Sequence, residues 1–154
     1  MKKPANEDEA VGRLRLDQQI CFPLYAATNL IQRLYRPLLE PLGLTYSQYL
    51  VMLVLWERSP VAIGEIRACL HLDIGTLSPL LKRMEQGGFI VRARDTEDER
   101  RVLVTLTAQG QALRKQAAEI PDRLAKQTGL DLSEVESLRD GTQALVAKLA
   151  AAAG

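Results

Sequence analysis

The sequence feature that most constrains this fold is a stripe of apolar side chains in "DIGTLSPLLKRMEQGG", residues 73–88. The stripe recurs at spacings of three and four residues, which is typical of a helix that buries one face. Its members are Leu77, Leu80, Leu81 and Met84. The two glycines that close the segment supply a stop for the helix. Because Pro79 has no N–H to donate, the helix either starts near Thr76 or has a distorted first turn after Asp73.

The segments on either side of this helix complete a supersecondary order. Before it, "GEIRACLHL" is helix-sized and is followed by a turn, and we expect Cys69 to lie on its core side. After it, "FIVRARD" and "RVLVTLT" are β-type runs joined by the charged connector "TEDER", which predicts a hairpin with an extended tip. With one short strand before the first helix, residues 61–107 have the layout of a winged helix-turn-helix.

The segment before this lobe is predicted to form two helices. In residues 14–42 apolar side chains recur at helical spacing, with Asp17 as a candidate N-cap. Pro37 and Pro41 then break the pattern. A second helix follows with Thr45 as its cap, and its apolar run faces almost every side, as a central core helix requires.

The segment after the wing is also predicted to be helical. One helix covers about residues 108–127 with a kink at Pro121, and another runs from about Leu132 to the end. The last helix carries a narrow seam suited to a partner helix, formed by Val135, Leu138, Thr142, Leu145 and Leu149. The predicted fold class is mainly α with a small β-hairpin wing, in a single domain of residues 1–154.

Composition excludes several classes of function. A net charge of +1 means that any DNA binding must come from local placement of charge. With His71 as the only histidine and no acidic residues clustered around either cysteine, we expect no metal, no cofactor and no hydrolase site. We also expect that the chain is not an enzyme. The chain lacks an apolar run of about 18 residues and an apolar signal segment, which favours a cytoplasmic protein without membrane contact. Residues 1 to about 12 are expected to form a mobile arm.

The outward face of the amphipathic helix is suited to DNA. Small residues near its start permit close approach, and its N-terminal dipole and later basic residues favour contact with phosphates or base edges in a major groove. The predicted DNA-facing set is Gly75, Ser78, Pro79, Lys82 and Gln86, with Thr76 and Arg83 at the flanks.

The hairpin tip mixes arginines and acids in equal number: Arg92, Arg94, Arg100 and Arg101 with Asp95, Glu97, Asp98 and Glu99. Two interpretations remain open from the charges alone. The tip is a solvated loop that pairs with itself, or some acids brace it while one or two arginines enter a minor groove.

The segment "LDIGTLSPLLKRMEQGGFIVRARDTEDERRVLVTLTAQG" strongly resembles the recognition helix and wing of MarR-family regulators, whose wing has the form R-D-x-x-D-x-R. The resemblance extends from about Leu16 to the C-terminal helix. It implies that Asp98 and Arg100 shape the wing and that arginines of this motif, Arg94 included, contact DNA. It also implies a homodimer formed by residues 14–42 and 108–154, and hence an inverted-repeat operator in double-stranded DNA.

Within that family, "QICFPLYAATNLIQRLYRPLLEPLGLTYSQYLVMLVLWE" resembles the OhrR-type organic hydroperoxide sensors. Cys21 matches their reactive cysteine, and Tyr25, Tyr35 and Tyr46 match three tyrosines that surround it. The chemistry is coherent, because phenol O–H groups that donate to sulfur stabilise the reactive thiolate. A position in the first turn of a helix adds to this effect.

Two departures from the branch have consequences. Pro23 removes a helical N–H just after the cysteine, so a distorted local turn and a changed exposure of the thiol are consistent with the sequence. No cysteine follows Cys69, so the chain resembles the one-cysteine type. That type implies oxidation of Cys21 to a sulfenic acid, then a mixed disulfide with a small cellular thiol, or overoxidation.

Three other functions remain open on the sequence. The first is a MarR-type regulator released by a small aromatic ligand, with Cys21 incidental. The second is a thiol peroxidase, although the nearest arginine in sequence, Arg15, forms no recognisable motif. The third is an architectural DNA-binding protein that does not respond to oxidants.

Overall fold

The computed structural model describes residues 11–154, so the arm predicted over residues 1 to about 12 lies outside the described residues up to position 10. The helices are α1 (Cys21–Leu39), α2 (Tyr46–Glu57), α3 (Ile63–Leu70), α4 (Ile74–Gln86), α5 (Ala108–Ala117), α6 (Ile120–Thr128) and α7 (Leu132–Ala153). The strands are β1 (Val61–Ala62), β2 (Ile90–Arg94) and β3 (Val102–Leu106). The predicted fold class, mainly α with a winged helix-turn-helix, is confirmed.

The wing is part of a three-stranded antiparallel sheet in the order β1-β3-β2. The central strand β3 pairs on one side with β1, where Val104 lies opposite Val61. On its other side the same residue lies opposite Arg92 of β2. Since Val104 is fully buried, the sheet is anchored to the core at its centre, and the tip of the hairpin extends away from it.

The core of the chain up to Gln111 is built on the two helices with the strongest apolar patterns, α2 and α4. The stripe on α4 is buried as predicted, along with half of the residues of the central helix α2. The fully buried side chains here include Met52, Leu55, Ile66, Leu77, Leu81, Met84 and Ile90. Thr45 caps α2, because its hydroxyl accepts from Gln48 N–H while the Gln48 side chain accepts from Thr45 N–H.

Packing divides the chain into two compact units, one up to Gln111 and one from Ala112 onward. The second unit holds the later part of α5 together with α6 and α7. Helix α7 begins with a capping box, in which Asp131 accepts from Glu134 N–H and Glu134 accepts from Asp131 N–H. Several leucines along α7 are exposed, namely Leu132, Leu138 and Leu149. Whether they meet a partner chain stays a prediction, as does the single-domain organisation.

Two predictions about the first helix are wrong. Asp17 lies in a 3₁₀ turn, Leu16–Gln18, where it pairs with Arg15 at 3.0 Å. Helix α1 therefore begins later, at Cys21. Pro37 lies inside α1 and does not break it. The chain ends the helix two residues later and passes into a second 3₁₀ turn, Glu40–Leu42.

Two further predictions are corrected. Cys69 is exposed and does not lie in the core of α3. Ile66 is the buried residue of that short helix and Leu70, four residues later, is half-buried, while Cys69 lies beside the line that joins them. Pro121 is the second residue of a separate helix, α6, where its missing N–H costs no hydrogen bond, so it does not kink a longer one.

Among the described residues no single helix is long and apolar enough to cross a membrane. The bent pair of residues 21–42 and 46–57 meets the requirement only together, at an angle of 68°.

Candidate DNA-binding surface and thiol site

The start of α4 is fixed by Asp73. One carboxylate oxygen accepts from Thr76 N–H at 2.8 Å, and the other accepts from the Thr76 hydroxyl at 3.1 Å. These two bonds hold the pKa of the Asp73 carboxyl below its usual value. The helix thus begins directly after Asp73, and Pro79 is accommodated inside it.

The face of α4 opposite the leucine stripe is exposed. All of the residues predicted to face DNA lie on it: Gly75, Thr76, Ser78, Pro79, Lys82, Arg83 and Gln86. The structure therefore brings the predicted set together on one surface. Their contact with DNA is a proposal taken up below.

The tip of the wing is organised by acids that accept from arginines and from the backbone. Asp98 accepts two bonds from the Arg100 guanidinium, at 3.0 and 3.2 Å, and one from Arg100 N–H at 3.1 Å. The guanidinium lowers the pKa of Asp98 and the carboxylate raises the pKa of Arg100. The Arg100 side chain is nevertheless 91% exposed. The Arg94 guanidinium donates a long bond, 3.5 Å, to the backbone oxygen of Glu99.

One acid of the tip that the sequence left undistinguished is buried. Asp95 is 8% exposed, accepts from Glu97 N–H at 3.0 Å, and lies 3.5 Å from Arg101. Sequence patterns place it among solvated charges. The signal for its role is its position directly after β2, where an Asp side chain can accept a hydrogen bond from the backbone N–H two residues later and so stabilise the turn.

The base of the wing is tied to the end of α4. Glu85 accepts from the Arg92 guanidinium at 2.8 Å and from Arg92 N–H at 2.8 Å. These bonds from Arg92 lower the pKa of the Glu85 carboxyl. The recognition helix and the second strand are thereby held in one orientation.

Cys21 is the first residue of α1 and is exposed. Pro23, the third residue of the helix, falls among the first N–H groups, which have no intrahelical acceptor, so its ring removes no helical hydrogen bond. Tyr25 lies one turn further along and is 68% exposed. The thiol therefore lies at the positive end of the helix dipole, open to reagents in this single chain.

The other two matched tyrosines lie elsewhere and form a cluster. The ring centroids of Tyr35 and Tyr46 are 5.0 Å apart, and Tyr35 is 5.6 Å from Tyr49. Burial, followed by the influence of Tyr49 and Tyr46, raises the pKa of Tyr35 to about 12. Burial also raises the pKa values of Tyr46 and Tyr49. These phenols stay protonated at neutral pH and keep an O–H to donate.

The structure of one chain does not bring all four matched residues together. Tyr35 lies on the same helix as Cys21, and at 1.5 Å per residue their separation along the axis is about 21 Å. Among residues 11–154 no group of three or more His, Cys, Asp or Glu side chains is arranged to hold a metal ion.

Comparison with known proteins gives the family. Residues 33–117 match the model described as Transcriptional regulator SarA/Rot. The Organic hydroperoxide resistance transcriptional regulator of Bacillus subtilis (strain 168) is 46% identical over 127 residues, 80% of this chain and 86% of that protein. The structure of reduced AbfR bound to DNA, a Staphylococcus epidermidis protein, superposes with a TM-score of 0.73 at 34% identity, covering 91% of this chain and 98% of AbfR. Overoxidised AbfR bound to DNA gives a TM-score of 0.72 at 32% identity over the same shares. The chain therefore belongs to the SarA/Rot and MarR family of winged-helix transcriptional regulators.

Proposed function

We propose that this protein is a transcriptional repressor that binds an inverted-repeat operator and releases it when an organic hydroperoxide oxidises Cys21. The observation that carries the proposal is the exposed thiol at the first position of α1, in a chain whose winged helix-turn-helix presents an exposed basic face. The names of the two relatives agree with this, since one is a hydroperoxide resistance regulator and the other has been solved on DNA in two oxidation states.

The oxidation consumes one equivalent of peroxide. The Cys21 thiolate attacks the terminal oxygen of ROOH, the O–O bond breaks, and the alkoxide leaves with a proton as ROH, so that sulfur becomes a sulfenic acid. A small cellular thiol then attacks this sulfur, giving a mixed disulfide and water. Apolar side chains near Cys21, among them Ile20 and the partly exposed Phe22, suit an alkyl or lipid hydroperoxide.

The tyrosine cluster reaches Cys21 only if a second copy of the chain supplies it. Cys21, Tyr25 and Tyr35 lie on one side of α1, because steps of four and fourteen residues from Cys21 return to nearly the same side of a helix with 3.6 residues per turn. Two copies of α1 that pack antiparallel through this side, about a two-fold axis at the level of Leu30, set Tyr25 of one copy opposite Tyr35 of the other. Cys21 then lies one turn from Tyr35 of the second copy, whose protonated O–H group is available to stabilise the thiolate.

Release follows from added bulk at this shared site. A mixed disulfide at Cys21 separates the helices, tilts the two winged lobes and changes the spacing of the recognition helices, which must match half-sites about one DNA turn apart. Because overoxidised AbfR has been solved on DNA, we favour the bulkier mixed disulfide as the releasing form.

The experiment is fluorescence anisotropy on a DNA duplex selected from a random pool by the parent protein. The duplex complex is titrated with cumene hydroperoxide in the presence of a small thiol, and dithiothreitol is then added. We expect the parent and Cys69→Ser to be released and then restored, and Cys21→Ser to stay bound. Cys69 is the matched control because it is also exposed. Equal release of Cys21→Ser and the parent would disprove hydroperoxide sensing by Cys21.

A second candidate function rests on a surface cleft beside the tyrosine cluster. It is lined by Gln32, Arg36, Leu39, Glu40, Gly43, Leu44, Thr45, Tyr46 and Ser47. The Arg36 guanidinium and the Tyr46 phenol ring of this cleft suit an aromatic acid as the signal that releases DNA. Release of Cys21→Ser by such an acid, unaffected by reductant, would favour it.

A further inference from the structure

Glu65, near the start of α3, lies between two arginines from other elements. Its two carboxylate oxygens lie 3.4 Å from Arg58 and 3.5 Å from Arg101. One of these oxygens also accepts from Ala62 N–H at 3.2 Å, so the side chain is held at the beginning of the helix. Glu65 therefore links the helix-turn-helix to the wing through charge.

The wing side of this link is the buried carboxylate of Asp95. A carboxylate with a side chain 10% exposed needs a compensating partner, because burying an unpaired charge is costly. Arg101 supplies that charge, since its guanidinium lies 3.5 Å from Asp95 and 3.5 Å from Glu65. One guanidinium thus joins an acid of the wing to an acid of α3.

The backbone of the tip passes this constraint to the neighbouring arginine. Asp95 N–H donates to Arg101 O, and Arg101 N–H donates to Asp98 O, both at 2.9 Å. Asp98 in turn holds the guanidinium of Arg100. Fixing Arg101 against α3 therefore fixes the loop from which Arg100 projects.

We propose that Glu65, acting through Arg101, is a positioning residue. It sets the tip of the wing in the minor groove that adjoins the major groove contacted by α4. The inference rests on the proposed DNA-binding function and extends it to residues outside the exposed recognition face. Glu65 itself does not touch DNA in this proposal. It fixes the height and angle at which Arg100 reaches the duplex.

The proposal predicts the opposite sign from simple electrostatics. Removing an acid near DNA reduces repulsion of phosphates, so Glu65→Gln should bind more tightly if only charge matters. If Glu65 positions the wing, the same substitution weakens specific binding by about threefold to tenfold. Glutamine keeps an oxygen for Ala62 N–H, so the start of α3 is preserved. Glu99→Gln is the matched control, because Glu99 lies on the tip and its carboxylate forms no ion pair among the described residues.

The test uses the full-length protein on the selected duplex, with two chemical probes. Hydroxyl radicals report protection of the minor groove, and methylation of guanine N7 reports the major groove. We expect Glu65→Gln to lose minor-groove protection at the flanks while major-groove protection is retained, and Glu99→Gln to match the parent. Unchanged minor-groove protection and unchanged or tighter binding in Glu65→Gln would overturn the proposal.

A double-mutant cycle shows whether Glu65 acts through Arg101. In an Arg101→Gln background, adding Glu65→Gln should cost no further affinity, whereas independent roles would give additive losses. If Glu65→Gln fails to fold, as seen by circular dichroism, Arg101→Gln alone must show the same loss of flanking protection. A parent that selects no duplex would refute the proposed function. A parent that binds specifically, with Glu65→Gln unchanged, would refute only the positioning role.

Discussion

The rings of Tyr35 and Tyr46 lie 5.0 Å apart between centroids and are tilted by 46°. Tyr35 comes from α1 and Tyr46 from the first turn of α2, so this contact joins the helix that carries Cys21 to the central core helix. Burial keeps both phenols protonated well above neutral pH. They are therefore suited to donate hydrogen bonds.

Alkaline stability should depend on Tyr35. Its folded-state pKa of about 12 lies above the ordinary value of 10.0, so the folded state favours the neutral phenol. This contribution is complete below pH 10 and is lost as the pH rises toward 12, because the unfolded chain ionises first. In urea titrations, Tyr35→Phe should lose less stability over this interval than the parent. Equal losses of stability for Tyr35→Phe and the parent over this interval would contradict the prediction.

The response to peroxide should depend on the same hydroxyl. If Tyr35 of a second copy donates to the Cys21 thiolate, Tyr35→Phe should slow sulfenic acid formation by about tenfold, the worth of a hydrogen bond to a charged group. DNA affinity of the reduced protein should not change. Stopped-flow mixing with cumene hydroperoxide measures the rate. Tyr49→Phe is the control, because Tyr49 belongs to the cluster but not to the matched set; an equal slowing there would point to packing instead.

The salt dependence of DNA binding should report the contact of Arg100. The Arg100 side chain is largely exposed despite its pairing with Asp98, so we expect it to displace about one counterion from DNA. Arg100→Ala should reduce the slope of log affinity against log salt by about one. Arg139→Ala is the matched control, because Arg139 also pairs with a nearby acid, Asp140, on an exposed helix. A slope unchanged in Arg100→Ala would argue against a phosphate contact.

The first turn of α5, which packs against Phe89, should not tolerate a methyl group at Gly110. A Cβ there would collide with the Phe89 carbonyl oxygen, while Gly110 O accepts from the Trp56 indole at 3.0 Å. Gly110→Ala should lower the free energy of unfolding by about 1–3 kcal/mol through overpacking, despite the better helix propensity of alanine. Gly64→Ala, with open space around it, should be neutral or stabilising. Thermal and urea unfolding of both variants measure the difference.

Local patterns in the sequence determined the winged fold. The leucine stripe of α4 predicts a helix with one buried face, because its apolar residues recur every three or four positions. The β-type runs before and after "TEDER" predict the two strands of a hairpin. Thr45 capped its helix as predicted, since a cap depends on residues within one turn. The exposed face of α4 followed from the same geometry.

Only the tertiary structure decided which polar side chains are constrained. Asp95 and Glu97 are both acids of one charged loop, yet Asp95 is buried against Arg101 because the hairpin packs its end toward α3. Cys69 is exposed although its neighbour Leu70 is half-buried, because adjacent residues on a helix point in directions about 100° apart. Cys21 and Tyr35 of one chain are far apart because they lie near opposite ends of the same helix, α1. A residue pattern names the members of a site, but their distances depend on contacts between residues far apart in sequence and, in the proposed dimer, on a second copy of the chain.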